Sequence, residues 1–156
     1  MNELIKKRIN DSIEVKKNIL TNDELVEKVN DLSYEIAKAV KNGAKIVICG
    51  NGGSASDALH FAGEIVGRFQ KERSAWPAVV LNADVATMTA IGNDYGYDEV
   101  FSRQAEAHVN SGDIFIGIST SGNSENVYRA VGVAKMKGAK TVAFLGKDGG
   151  KIGKQV

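Results

Sequence analysis

With a single cysteine, Cys49, in 156 residues, the chain has no partner for an internal disulfide. Cys49 ends an apolar run, where a buried free thiol is the expected state, and a reducing cytoplasm fits that usage. A charge imbalance is equally absent. Twenty Lys and Arg face nineteen Asp and Glu, for a formal net charge of +1, and no block of like charge forms an arm for nucleic acid. Nowhere do about 18 apolar residues run together, so no membrane-spanning helix is expected. The start, Met1-Asn-Glu-Leu-Ile-Lys-Lys7, is too poor in contiguous apolar residues for a signal peptide, and the expectation is a soluble, cytoplasmic protein. Repeats of 20–50 residues and low-complexity tracts are missing too.

What is present is regular alternation. Leu4, Ile5, Ile9, Ile13 and Leu20 fall mostly at helical spacing and predict a helix from about Glu3 to Leu20. Thr21-Asn-Asp23 offers N-caps for a second helix through Leu25, Val29, Leu32, Ile36 and Val40, which Gly43 ends. Beyond it the pattern predicts strands over Lys45–Cys49, Ala78–Asn82, Asp113–Ser119 and Thr141–Gly146. Between them fall helices over Ser54–Phe69, Val85–Ile91, Glu99–Val109 and Ser124–Lys137. Strands that read as continuous Val, Ile and Phe runs between helices indicate an α/β fold, a doubly wound parallel sheet covered on both faces. Residues 1–43 therefore read as a helical hairpin appended to an αβ domain over 44–156. Its broad apolar face suits burial against another subunit, so an oligomer is expected. A domain of this size can bury about 70% of its unfolded surface in one core.

Two loops carry the chemistry. Cys49-Gly-Asn-Gly-Gly-Ser-Ala-Ser56 and Ile118-Ser-Thr-Ser-Gly-Asn-Ser124 each follow an apolar run and each open a helix, at the strand ends where open parallel sheets bind ligands. Glycine admits close backbone approach to an anion, and a helix N-terminus adds unpaired N–H groups and roughly +0.5 charge. Ser54, Ser56, Ser119, Thr120, Ser121 and Ser124 supply hydroxyls and neither loop has a lysine, so the pocket reads as neutral hydrogen bonds suited to a small sugar phosphate. A Walker loop is excluded by the missing Gly-Lys-Ser/Thr. Gly50-Asn-Gly-Gly-Ser-Ala55 matches the dinucleotide fingerprint, but the acid expected about 20 residues on at the end of the second strand is poorly spaced, since that strand ends Leu81-Asn-Ala-Asp84, more than about 30 residues past Gly50.

On the helix leaving the first loop, His60 and Glu64 stand at i and i+4, stacked on one face. Glu64 suits a general base beside a carbonyl, with His60 as acid or orienter; the two equally suit a pair of divalent-metal ligands or a plain surface contact. His108 reads as an ordinary helix histidine. In Ala90-Ile-Gly-Asn-Asp-Tyr-Gly-Tyr-Asp-Glu99, Gly92 is expected to cap one helix and Asp98 to open the next, leaving Asn93 and Asp94 free for sugar hydroxyls. Arg68, near the end of the His60 helix, is a candidate for a charge-assisted contact to substrate or to a neighbouring subunit.

Five blocks in order carry a resemblance that runs the length of the chain. They are Cys49-Gly-Asn-Gly-Gly-Ser54, Asp57-Ala-Leu-His-Phe-Ala-Gly-Glu64 with Gly67-Arg-Phe69, Ala90-Ile-Gly-Asn-Asp-Tyr-Gly96 with Phe101-Ser-Arg103, Gly117-Ile-Ser-Thr-Ser-Gly-Asn-Ser124, and Gly146-Lys-Asp-Gly-Gly150. Together they resemble the phosphoheptose isomerase branch of the sugar isomerase (SIS) domain family. The resemblance implies a three-layer αβα sandwich with a five-stranded parallel sheet, a homotetramer built through the N-terminal helices, and active sites between subunits. It implies conversion of sedoheptulose 7-phosphate to D-glycero-D-manno-heptose 7-phosphate through an enediol, opening heptose synthesis for lipopolysaccharide or capsule. Ser119, Thr120, Ser121 and Ser124 match the family's phosphate ligands, Asn51, Gly52, Gly53 and Ser54 its sugar-lining loop, and Glu64 its general base. His60 with Glu64 matches half of a Zn2+ site, whose other half, with the fifth strand and last helix, is expected beyond Val156. Non-catalytic SIS modules that bind the replication initiator are the alternative. They lack the acid at Glu64 and interrupt the Ser-Thr-Ser-Gly loop with a basic residue; this chain keeps both features.

Overall fold

The computed structural model describes residues 2–156, which divide into one unit reaching Lys38 and another spanning Ala39–Val156. The first holds helix α1 (Asn2–Leu20) and most of α2 (Asp23–Lys41), whose last residues belong to the second. Asn22 caps α2, its Oδ1 accepting from the Leu25 N–H at 3.0 Å. Exposed i, i+3 and i, i+4 pairs such as Lys6–Glu3, Lys17–Glu14 and Lys28–Glu24 line these helices, where water screens them and leaves each a small contribution. The apolar stripe Leu4, Ile5, Ile9, Ile13 on α1 is exposed.

The second unit is built on a parallel sheet of order β2-β1-β3-β4, formed by β1 (Ile46–Gly50), β2 (Ala78–Val80), β3 (Ile114–Ser119) and β4 (Lys140–Leu145). All of β1 is buried, because it is central and helices cover it on both faces. On one face, α6 (Glu125–Met136) presses so close that a Cβ on Gly117 would stand 2.8 Å from Val127. Val47, Cys49, Phe115, Val127 and Val131 fill that layer. Ile46, Ile48 and Ile116 point to the other face, where α3 (Gly53–Val66) buries Ala58 and Ala62 and sets Phe61 edge-on to Phe144 at 6.2 Å. This is a three-layer αβα sandwich, with four strands among the described residues. Burial raises the Cys49 thiol far above its usual range and makes it inert.

Where β1 and β3 begin, the buried Asp113 carboxylate accepts from the Lys45 N–H (3.0 Å), the Asn110 N–H (2.8 Å) and Lys45 Nζ (2.6 Å), locking the two strands in register. This anchor lies at the end opposite the serine loops.

Several boundaries differ from the pattern. Helix α3 stops at Val66 rather than Phe69, so Arg68 lies past its end. Helix α4 (Val85–Tyr95) does not stop at Ile91; it runs on through Gly92, Asn93 and Asp94. Its end falls at Gly96, whose φ of 91° suits glycine alone. Asp84 caps its start through the Ala86 and Thr87 N–H groups. The helix expected over Glu99–Val109 resolves into a 3-10 turn at Tyr97–Glu99, containing Asp98, and α5 (Ser102–His108). A short helix, α7 (Gly150–Gly153), follows β4.

Candidate active site

The first loop turns abruptly off β1. A Cβ on Gly50 would stand 2.5 Å from the Ser54 carbonyl, and Gly52 adopts a φ of 55°, so only glycine permits both the closeness and the sense of the turn. Asn82, just past β2, fastens it: its Oδ1 accepts from the Gly50 N–H (3.2 Å) and its Nδ2 donates to the Ala55 carbonyl (3.2 Å).

The second loop is clamped from β4. Ser119 and Ser124 join their hydroxyls at 2.9 Å across its base, and the Asn123 N–H donates to Ser121 Oγ at 3.1 Å. Over it lies the turn Gly146–Gly150. A Cβ on Gly122 would come within 2.1 Å of the Gly149 carbonyl, and one on Gly146 within 2.5 Å of the Thr120 carbonyl. The Ile152 N–H donates to the Gly122 carbonyl (3.0 Å) and the Lys151 N–H to Asn123 Oδ1 (3.0 Å). Thr120 is left exposed at the tip.

A two-way amide pair joins the loops. Asn51 Nδ2 donates to Asn126 Oδ1 at 2.9 Å and Asn126 Nδ2 returns a bond to Asn51 Oδ1 at 3.1 Å, while Tyr97 Oη donates to the same Asn51 oxygen at 3.0 Å. Asn126 is buried in the first turn of α6. The amide pair thus holds the first loop beside the N-terminus of α6, a helix end of the kind that can receive an anion. Glu125, in that first turn, would repel one, but its carboxylate is matched by Lys151 and by Arg129 Nε at 2.7 Å. Those hydrogen bonds, Lys151's first, hold it below the usual glutamate range. Arg129 also pairs with Glu99, itself lowered chiefly by the Ser102 hydroxyl and then by Arg129.

His60 Nε2 and Glu64 Oε1 approach to 3.3 Å on α3. They line a groove of about 440 Å³ with Asp57, Phe61, Ile65, Phe69 and Arg73. No residue of either serine loop lines it, so the structure brings the loops together and brings His60 to Glu64, but does not join the two groups. Asn93 and Asp94 are exposed in the last turn of α4 and bond to each other (2.8 Å), and Arg68 pairs with exposed Glu72 at 3.1 Å. Sequence reasoning missed Asn82, Tyr97, Asn126 and Arg73. Only Tyr97, inside the unusual Gly-Asn-Asp-Tyr-Gly-Tyr stretch, carried a local signal.

Zinc takes four ligands, three of them from protein in catalytic sites. Among the described residues no three His, Cys, Asp or Glu side chains gather, so the His60–Glu64 pair by itself does not fit the ion.

A SIS domain family model matches residues 10–146. The phosphoheptose isomerase of a Nitratiruptor species is 51% identical over 88% of this chain and 78% of its own length, and that of Sulfurimonas denitrificans is 48% identical over 99% and 79%. The solved phosphoheptose isomerase GmhA from Neisseria gonorrhoeae superposes with a TM-score of 0.90 at 42% identity, over 98% of this chain and 79% of that one. A phosphoheptose isomerase from Francisella tularensis superposes with a TM-score of 0.92 at 35% identity, over 97% and 78%. On this similarity of sequence along nearly its whole length and of fold, the chain belongs to the SIS domain family, in its phosphoheptose isomerase branch.

Proposed function

We propose that the protein is a cytoplasmic aldose–ketose isomerase that converts sedoheptulose 7-phosphate to D-glycero-D-manno-heptose 7-phosphate, the first step of heptose synthesis for lipopolysaccharide or capsule. The observation that carries this reading is the pair of lysine-free serine loops tied together by the Asn51–Asn126 amide pair, on a chain about half identical to proteins named phosphoheptose isomerase. The phosphate enters over α6, taken by Ser119, Thr120, Ser121, Ser124 and backbone N–H groups. Asn51, Gly52, Gly53 and Ser54 line the sugar chain, with Asn93, Asp94 and Arg68 as outlying contacts. Glu64 removes the proton beside the carbonyl while the carbonyl oxygen takes up a proton to give the enediol, and the protonated Glu64 then returns its proton to the former carbonyl carbon as the adjacent hydroxyl gives up its proton and becomes the new carbonyl. His60 orients Glu64 or protonates oxygen.

Because no serine-loop residue lines the groove that holds Glu64, the reading includes a homotetramer assembled through α1 and α2 in which a partner subunit completes the site. Zinc, where taken up, would use His60 and Glu64 as two ligands and draw the others from outside this face.

Incubation of the protein with sedoheptulose 7-phosphate, with and without chelator, while following aldose formation, tests substrate and metal need together. Glu64→Gln should lower turnover by about 10²- to 10⁴-fold with affinity nearly intact. Near-normal turnover would remove Glu64 from the mechanism.

A further inference from the structure

Glu64 occupies the last turn of α3, two residues before the helix ends at Val66. The final four carbonyls of a helix lack intrahelical partners and its last turn frays, which is a poor place to hold a catalytic carboxylate. Nor does α3 have a basic residue of its own in that turn to offset the negative end of its macrodipole.

Arg73 supplies what is missing from outside the helix. Its Nη2 donates to the Glu64 carbonyl at 3.0 Å and to the Ile65 carbonyl at 2.8 Å, and its Nη1 donates to the Ser74 carbonyl at 3.0 Å. The guanidinium carbon stands 4.6 Å from the centre of the Trp76 ring, and the Trp76 backbone N–H donates to the Ile65 carbonyl at 3.4 Å. The segment after α3 therefore folds back so that a planar cation, stacked on an indole, closes the turn bearing Glu64. A guanidinium does this well because its donors are fixed in one plane while its face stays free for the ring.

We infer that Arg73 is a positioning residue for Glu64: it fixes the backbone from which the carboxylate projects and so sets the rate of proton abstraction without binding substrate. The inference rests on the reading of Glu64 as the base. A misplacement of about 1 Å can cost 10²-fold in rate, so loss of the clamp should lower kcat by about 10- to 100-fold while KM stays within about twofold.

The test uses the full chain and five proteins: wild type, Arg73→Met, Arg73→Lys, Glu64→Gln and the double variant Arg73→Met/Glu64→Gln. Turnover is measured on sedoheptulose 7-phosphate and hydrogen exchange is followed at the α3 terminus, including the Gly67 N–H that donates to the Gly63 carbonyl. Trp76, the chain's only tryptophan, reports by fluorescence whether the stack is intact. Expected are a lower kcat at unchanged KM, faster exchange confined to the last turn of α3, altered Trp76 emission, and no further loss when Arg73→Met is added to Glu64→Gln. Arg73→Lys keeps the charge but not the fork, and should recover part of the rate and part of the protection. Unchanged kcat with unchanged exchange overturns the inference. So does a raised KM at constant kcat, which would place Arg73 on the substrate, and so do losses that multiply in the double variant. Full turnover in Glu64→Gln rejects the base itself and the inference with it, while a deficient Glu64→Gln beside a normal Arg73→Met rejects only the role of Arg73.

Discussion

Asn51 shows how a single side chain can be spent before any ligand arrives. Its oxygen already accepts from Tyr97 and Asn126 and one of its N–H bonds goes to Asn126, which leaves one donor for a sugar. Much of its work is thus to set the spacing between loops, and Asn126 shares that work from its buried place in α6. Asn126→Ala removes both bonds of the pair and the acceptor for the Val127 N–H. Leaving such groups unmatched costs about 1–3 kcal/mol, so the urea midpoint should fall by the equivalent amount and KM should rise as the loops lose their spacing. Asn126→Asp, with the same shape but no donor toward Asn51, should reproduce most of the effect. An unchanged midpoint and KM in both variants would show that the pair holds nothing. None of this was legible in the chain, because the partners lie 75 residues apart and nothing near Ser-Gly-Asn-Ser124 marks the buried asparagine at 126 as a crosslink. The hydroxyls of Ser119–Ser124 were legible, since the strand, the glycine and the helix start that give them meaning are all local.

At the scale of elements, the strands were readable because buried parallel strands need continuous apolar runs, and Ile46–Gly50 and Ile114–Ser119 provide them. Helix ends were less so. Gly92 looked like a stop, yet a Cβ there would meet Val100 only at an ordinary 3.7 Å, and the helix runs through it to Gly96, where the positive φ compels the break. The grip of α7 and the Tyr97 turn on α6 was hidden because it is made by ions from three segments: Arg129 joins Glu99 to Glu125, and Lys151 of α7 joins Glu125 as well. Both glutamates titrate below their ordinary value in the folded chain. As pH falls the unfolded chain therefore takes up their protons first, so their stabilisation is complete at neutral pH, declines from about pH 5, and is gone once pH has passed the lowered values. Denaturant midpoints measured from pH 7 to pH 3 should fall over that window in the wild type and fall less in Glu99→Gln/Glu125→Gln. Because both carboxylates are partly open to water, added salt should shrink the difference. Identical profiles for the two proteins would show that the network contributes nothing to the hold on the loop.

For the molecule as a whole, α1 poses a question that one chain does not answer. Leu4, Ile5 and Ile9 are each more than half exposed and fall on one stripe with Ile13, an arrangement that a surface helix of a monomer has no reason to keep. Burying a side chain of this size contributes about 1.5–3 kcal/mol, so four of them supply the centre of an interface, which in a stable complex covers about 800 Å² per partner. Assembly through this stripe would also let the serine loops and the Glu64 groove meet across chains, since a neighbour can bring its own loops or helix to either. Two measurements on one variant separate the possibilities. Ile9→Lys places a charge in the middle of the stripe, and sedimentation should show the assembly reduced to smaller species, with the melting temperature losing its dependence on protein concentration. Turnover should fall together with the assembly and return at protein concentrations high enough to restore it. Dissociated protein that keeps full turnover would mean that a single chain holds the whole site. Wild type that sediments as a monomer would leave the stripe for a different partner and remove the tetramer from the proposed function.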